Sequence, residues 1–136
     1  MNSCPFCEPK ERVLKENKRA YVLLSNPRRI EGHCLVIPKR HVEKPWEITG
    51  DELQDIFELI RFLQKKIVGT LGEGVRIQQN YMPFVPDSKY KVAHVHYHVV
   101  PRKFKDRIYQ LVDVHDTQLF EDLSKEEHNR VAKLIE

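Results

Sequence analysis

Three of the chain's seven histidines, His94, His96 and His98, occupy every second position in Ala93-His94-Val95-His96-Tyr97-His98-Val99-Val100-Pro101-Arg102. Imidazole titrates near neutral pH and can be a nucleophile, a general acid or base, or a metal ligand. Burying a row of three without partners is costly, so packing alone does not explain it. Two neighbours in such a row can also share one zinc ion. Cys4-Pro5-Phe6-Cys7 adds two thiols at the spacing of a metal knuckle or a redox dithiol. The third cysteine, Cys34, lies in an apolar run and reads as core.

The elements that must carry these groups are legible from their patterns. Val95, Tyr97, Val99 and Val100 are β-branched or aromatic, so residues 93–102 read as a strand. Strict alternation then puts His94, His96 and His98 on one face, with neighbours roughly 6.6 Å apart. Ala20-Tyr21-Val22-Leu23-Leu24 and His33-Cys34-Leu35-Val36-Ile37 read as two further strands, linked by the turn residues Ser25-Asn26-Pro27-Arg28-Arg29 and Gly32. Residues 75–80 alternate as a half-buried strand, and the Pro-rich stretch 81–90 is a loop running into the histidine strand. Both pairs are expected to be antiparallel.

Thr49-Gly50-Asp51-Glu52 is a capping box. The apolar residues Leu53, Ile56, Phe57, Ile60, Leu63 and Ile67 follow helical spacing to a stop at Gly69. Leu59 and Phe62 widen the stripe on helix 51–68, which suggests packing on two sides. Ser124 opens a short terminal helix, while 8–19 and 104–120 carry no decisive pattern. Strands neighbouring in sequence, with helices set apart, make an α+β fold.

The composition fits one domain, 1–136, with 1–19 as an N-terminal segment and 104–136 as a C-terminal extension. At 136 residues the chain can bury roughly two-thirds of its unfolded surface. Its formal charge of +3 gives no case for duplex nucleic acid. No apolar run is long enough to span a membrane, and the first residues lack a signal-peptide pattern. A cytoplasmic protein is expected, where an odd cysteine count is no disulfide framework.

His94-Val95-His96-Tyr97-His98-Val99-Val100 resembles the His-φ-His-φ-His-φ-φ signature of the histidine triad (HIT) superfamily, φ being apolar. Gly32-His33-Cys34-Leu35-Val36-Ile37-Pro38-Lys39-Arg40-His41 is similar to that family's Gly-His-x-Leu-Val-Ile-Pro-Lys-x-His segment, and Cys4-x-x-Cys7 looks like its zinc-bearing bacterial and archaeal branch. The resemblance covers roughly residues 4–103. It implies an antiparallel sheet of about five strands with one long packed helix, and a homodimer.

The resemblance also implies nucleotidyl chemistry. His96 would attack an α-phosphorus to form a covalent nucleotidyl-histidine that water then hydrolyses, with His98 and His33 contacting the phosphate and leaving group. Cys4, Cys7, His41 and His94 would hold a structural zinc. Asn80 looks like a nucleotide-contacting Asn, and Lys89, Lys91 and Arg102 could hold polyphosphate. Lys89-Tyr90-Lys91 departs from the Gly-Gln-Ser/Thr that many members carry. His98 stands where transferases and phosphorylases of the superfamily typically carry Gln, which favours a hydrolase. The expected function is cleavage of a nucleotide's α-phosphate linkage, of the dinucleoside polyphosphate or phosphoramidate type. The alternatives are a nucleotidyltransferase or phosphorylase, and a non-catalytic nucleotide-binding zinc module.

Overall fold

The computed structural model describes residues 4–136; the first three residues of the N-terminal segment lie outside the described residues. Five strands form one antiparallel sheet: β1 (Lys15–Glu16), β2 (Ala20–Leu24), β3 (Cys34–Pro38), β4 (Gly74–Gln78) and β5 (Tyr97–Arg102), in the order β1-β2-β3-β5-β4. Helix α1 (Gly50–Ile67) starts at the expected capping box, where Thr49 accepts from the Glu52 amide and the Glu52 carboxylate accepts from the Thr49 amide. Gly69, at φ +89°, follows its end in the left-handed conformation that favours glycine.

Both faces of the central strands are covered, which is why they read as unbroken apolar runs. Ala20, Val22, Cys34, Val36 and Val99 face α1 and pack on its Ile56, Leu59, Ile60 and Ile67. Burying each of the valine, leucine and isoleucine side chains contributes ~1.5–3 kcal/mol. On the other face, Tyr21, Leu23, Leu35 and Ile37 pack with Phe6, and Val13 and Val92 close the cluster. His98 is paired with Leu35 across the β3–β5 ladder, so it belongs to this second face. Gly32 precedes β3 at φ +86°, and an added Cβ would lie 2.8 Å from the Leu71 side chain and 3.0 Å from that of Pro101.

The histidine segment corrects the expected strand over 93–102. The strand begins only at Tyr97, and residues 93–94 form a bend. Tyr97 pairs with Val36, so the next ladder step would set Val95 against Pro38, which has no N–H to donate. Val95 N–H instead donates to the Val42 carbonyl across 2.7 Å. Strict alternation fails there, and His94 is free to turn away from the other two histidines. Strand β4 likewise stops at Gln78, short of the expected end at residue 80.

The regions without a sequence pattern hold short elements. Residues Lys10–Arg12 form a 3₁₀ turn ahead of β1. The C-terminal extension contains α2 (Arg107–Leu111), a 3₁₀ stretch (Asp113–Leu119) and α3 (Lys125–Ile135), none of which buries a residue. It is held to the sheet by ion pairs. Arg102 contacts Asp106 at 2.7 Å and Asp113 at 2.8 Å, and Arg76 reaches Asp113 at 2.6 Å. No helix among the described residues is long and apolar enough to cross a membrane.

Candidate active site

The bend at residues 93–94 delivers His94 to the N-terminal knuckle. Its Nδ1 lies 3.3 Å from Cys4 Sγ and 3.7 Å from Cys7 Sγ, and His41 Nδ1 lies 3.3 Å from Cys7 Sγ. The four ligand atoms all fall within 4.8 Å of one another, a cluster that can hold a metal ion. Tetrahedral zinc, with Zn–S about 2.3 Å and Zn–N about 2.05 Å, sets S and N about 3.6 Å apart. The measured separations bracket that value. Both imidazoles present Nδ1 and anchor Nε2 elsewhere, His94 to the Pro38 carbonyl at 2.8 Å and His41 to the Glu43 carboxylate at 2.9 Å. Such anchoring fixes the tautomer and ring direction of a ligating histidine. Glu43 had a sequence signal only in its place two residues after His41.

The knuckle also braces the reactive region. Phe6, between the two cysteines, is buried, and its ring stands edge-on to His96 with centroids 5.2 Å apart. The Phe6 carbonyl accepts the Tyr21 hydroxyl hydrogen bond. His96 Nδ1 donates to the His94 carbonyl at 2.7 Å, which leaves the Nε2 lone pair without a partner among the described residues. Burial lowers the His96 pKa from its ordinary value, so the ring is neutral at pH 7. A neutral imidazole with one nitrogen pinned and the other free has the chemistry of a nucleophile, a base or a ligand.

His33 and His98 form a directed chain. The Arg29 backbone N–H donates to His33 Nδ1 at 3.1 Å, and His33 Nε2 lies 2.9 Å from His98 Nδ1. Because His33 Nδ1 accepts, its proton sits on Nε2 and is donated to His98. The proton of a neutral His98 therefore sits on Nε2. Burial, with the nearby histidines and Arg29 adding to it, pushes His33 down to about 4 and His98 down to about 3. At pH 7 both are neutral, so the phosphate would meet an oriented N–H dipole rather than a protonated imidazole.

His33, His96 and His98 line one side of a cleft of about 430 Å³, together with Phe6 and Lys89. Asn80 and Lys91 line a second, smaller pocket that His96 also lines. There Lys91 is paired with Asp87 at 3.2 Å. Arg102 reaches neither pocket; its guanidinium is occupied by Asp106 and Asp113. Its place four residues after His98 on β5 puts it at the far end of the strand. The cleft adds Arg12, Arg28 and Arg29, which no motif had singled out, since they come from two separate segments that meet the histidines there.

Comparison with known proteins agrees with this architecture. Over 80 residues the chain is 35% identical to the asymmetrical bis(5'-nucleosyl)-tetraphosphatase of Schizosaccharomyces pombe, a match covering 57% of this chain and only 41% of that protein. It is 31% identical over 112 residues to an adenosine 5'-monophosphoramidase of Candida albicans, covering 74% of this chain and 71% of the relative. A HIT family protein from Bacillus anthracis has the same fold, with a TM-score of 0.72 at 19% identity over 98% of this chain and 95% of that one. Residues 7–105 match the HIT domain itself, a stretch that takes in every histidine of the cleft, and on this ground the chain belongs to the HIT domain family.

Proposed function

We propose that this protein is a nucleotide hydrolase that cleaves an α-phosphate linkage through a covalent nucleotidyl-histidine on His96. The observation that carries the reading is the 2.7 Å hydrogen bond from His96 Nδ1 to the His94 carbonyl, which commits the second nitrogen to attack. His96 Nε2 forms a bond to the α-phosphorus, and the bond from phosphorus to the leaving atom breaks with its electron pair going to that atom. His98 Nε2–H is the donor available to the phosphate oxygen or the departing group. Water then attacks the same phosphorus and gives up a proton to solvent, the P–N bond breaks with its electron pair returning to His96 Nε2, and the mononucleotide is released. Relatives named as a tetraphosphatase and a phosphoramidase support this class of reaction.

In this reading Cys4, Cys7, His41 and His94 hold one zinc ion. Bound metal would pin the N-terminal segment, and with it Phe6, against the histidine segment; its part is structural. The thiols require a reducing compartment such as the cytoplasm. The working unit is a homodimer, supported by the apolar surface left exposed at Leu53 and Phe57 on α1 and at Leu119, Phe120, Leu134 and Ile135 of the extension. Incubation with dinucleoside polyphosphates, a nucleoside phosphoramidate and nucleotide sugars, following mononucleotide release, tests the reaction. Release from none of them, or transfer to phosphate outpacing hydrolysis, overturns it.

A further inference from the structure

The cysteine–histidine cluster is open to solvent on its thiol side. Cys7 is exposed and Cys4 is half-buried, whereas His94 is buried. Cys34 is out of reach: it is buried against α1 on one face of the sheet, while Cys4 packs on the other. Within the chain, Cys4 and Cys7 therefore have only each other as disulfide partners.

The backbone already holds the pair at bridging distance. The Cys7 N–H donates to the Cys4 carbonyl across 3.1 Å, closing a four-residue turn through Pro5 and Phe6. Such a turn keeps its first and last Cα atoms within about 7 Å, and a disulfide spans Cα separations of about 4.4–6.8 Å. The two Sγ atoms lie within 4.8 Å of each other, so side-chain rotation with the turn in place closes the bridge.

The same turn supports the proposed nucleophile. The Phe6 ring at its centre is buried and stands edge-on to His96 at 5.2 Å and to His94 at 6.0 Å between centroids. The Phe6 carbonyl accepts from the buried Tyr21 hydroxyl. His94 Nδ1 faces Cys4 Sγ at 3.3 Å, and the His94 carbonyl orients His96. A covalent change at the two sulfurs therefore acts on both supports of His96.

We propose that Cys4 and Cys7 are an oxidation site, where a hydroperoxide converts the pair to a disulfide, empties the metal site and loosens His96. The inference rests on the zinc reading and adds to it a modification that governs the nucleophile. In the loaded cluster both sulfurs are thiolates, the reactive form of cysteine. The exposed Cys7 thiolate attacks the peroxide oxygen: an S–O bond forms, the O–O bond breaks, and the departing oxygen takes a proton from water. The Cys4 thiolate then attacks the Cys7 sulfur. The S–S bond forms, and the S–O bond breaks with its electron pair leaving as hydroxide, which is protonated to water. The two sulfurs together lose two electrons and the hydroperoxide gains two. The disulfide offers no thiolate, and His41 and His94 alone are too few for a closed tetrahedral site. A thiol reductant reverses the change.

Titration of the zinc-loaded, unsubstituted protein with hydrogen peroxide tests this. Released zinc is read with a chromogenic chelator. The tryptic peptide 1–10, which carries Cys4 and Cys7 but not Cys34, is weighed. Zinc should leave in step with the loss of two hydrogens from that peptide. Turnover of a nucleoside phosphoramidate should fall about tenfold or more, since a displacement of about 1 Å at a reacting group costs about 10²-fold. Dithiothreitol with added zinc should restore both metal content and rate, and Cys34→Ser should respond as the parent does. The His96 ring signals in ¹⁵N spectra should move on oxidation, a readout that needs no turnover. Zinc retained under peroxide, a peptide that gains oxygen instead of losing hydrogen, a response lost in Cys34→Ser, or a disulfide that leaves rate and His96 signals unchanged overturns the proposal. Metal content before peroxide is added separates the two readings: protein without zinc overturns both, and zinc present but not released overturns only this one.

Discussion

His96 Nδ1 donates to the backbone carbonyl of His94 across 2.7 Å, while the His94 side chain points its own Nδ1 at Cys4 and Cys7. The proposed nucleophile is thus oriented by the backbone of a candidate metal ligand. Replacing it, His96→Ala, should cut turnover by about 10⁴-fold or more, the scale seen when a covalent nucleophile is lost. Nucleotide binding and melting temperature should stay close to the parent. Hydrolysis at the parental rate in this variant would end the covalent mechanism.

The His33–His98 chain makes a prediction about proton placement. His33→Leu removes both the acceptor for the Arg29 amide and the donor to His98 Nδ1. The His98 proton then has no reason to stay on Nε2. Loss of a positioned donor costs about 10²–10⁴ in rate. His33→Gln, which can still accept and donate, should recover part of that loss. Equal activity of the two variants, measured as kcat on a phosphoramidate, would show that the chain does not direct the proton.

The same pair predicts how stability depends on pH. His33 and His98 titrate at about 4 and about 3 in the folded protein, against an ordinary value near 6.5. Below that value the unfolded chain takes up protons that the folded chain refuses. Stability contributed by their neutrality is therefore complete above the ordinary value and is lost as pH falls through about 4 and then about 3. Melting temperature should decline across that window. The double variant His33→Gln/His98→Gln should decline less steeply, and its comparison with the parent removes any shared contribution from the cysteine–histidine cluster. Parallel curves would reject this assignment.

Metal content follows from the cysteine–histidine cluster. Elemental analysis of protein purified without chelator should find about one zinc per chain. Cys7→Ser should lose it and melt at lower temperature, because the N-terminal segment would lose its tie to the histidine segment. A metal-free preparation with unchanged melting would leave the four residues as a cluster without a metal function.

Asp106 supports the extension. It pairs with Arg102, accepts from the Lys103 amide and caps α2 through the Tyr109 amide. Asp106→Ala leaves the Arg102 guanidinium half-buried with one partner fewer and removes a helix cap. The expected cost is about 3–5 kcal/mol, read from urea unfolding. A change under about 1 kcal/mol would mean that the extension is held by other contacts.

Much of the site follows from local pattern. The runs at 20–24 and 33–37, the capping box at Thr49 and the helical stripe after it are short-range signals, and the strands and α1 formed within one residue of where those signals placed them. The residue types and spacing of Cys4, Cys7, His94, His96 and His98 singled out those groups, and the resemblance to the HIT superfamily added His33 and His41. The resemblance implied unequal roles for the histidines, and the tertiary structure supplies the physical reason their surroundings differ. Pro38 cannot donate to a ladder, so the strand ends at Tyr97, His94 turns to the thiols, and His96 is left held by one nitrogen. Periodicity assumes that a strand continues; it carries no information about whether the neighbouring strand can still supply N–H groups. Nor can composition tell that Arg12, Arg28, Arg29 and Lys89 share one cleft while Arg102, beside the motif in sequence, is spent on two aspartates. Charge acts through space, and only the folded chain sets those distances.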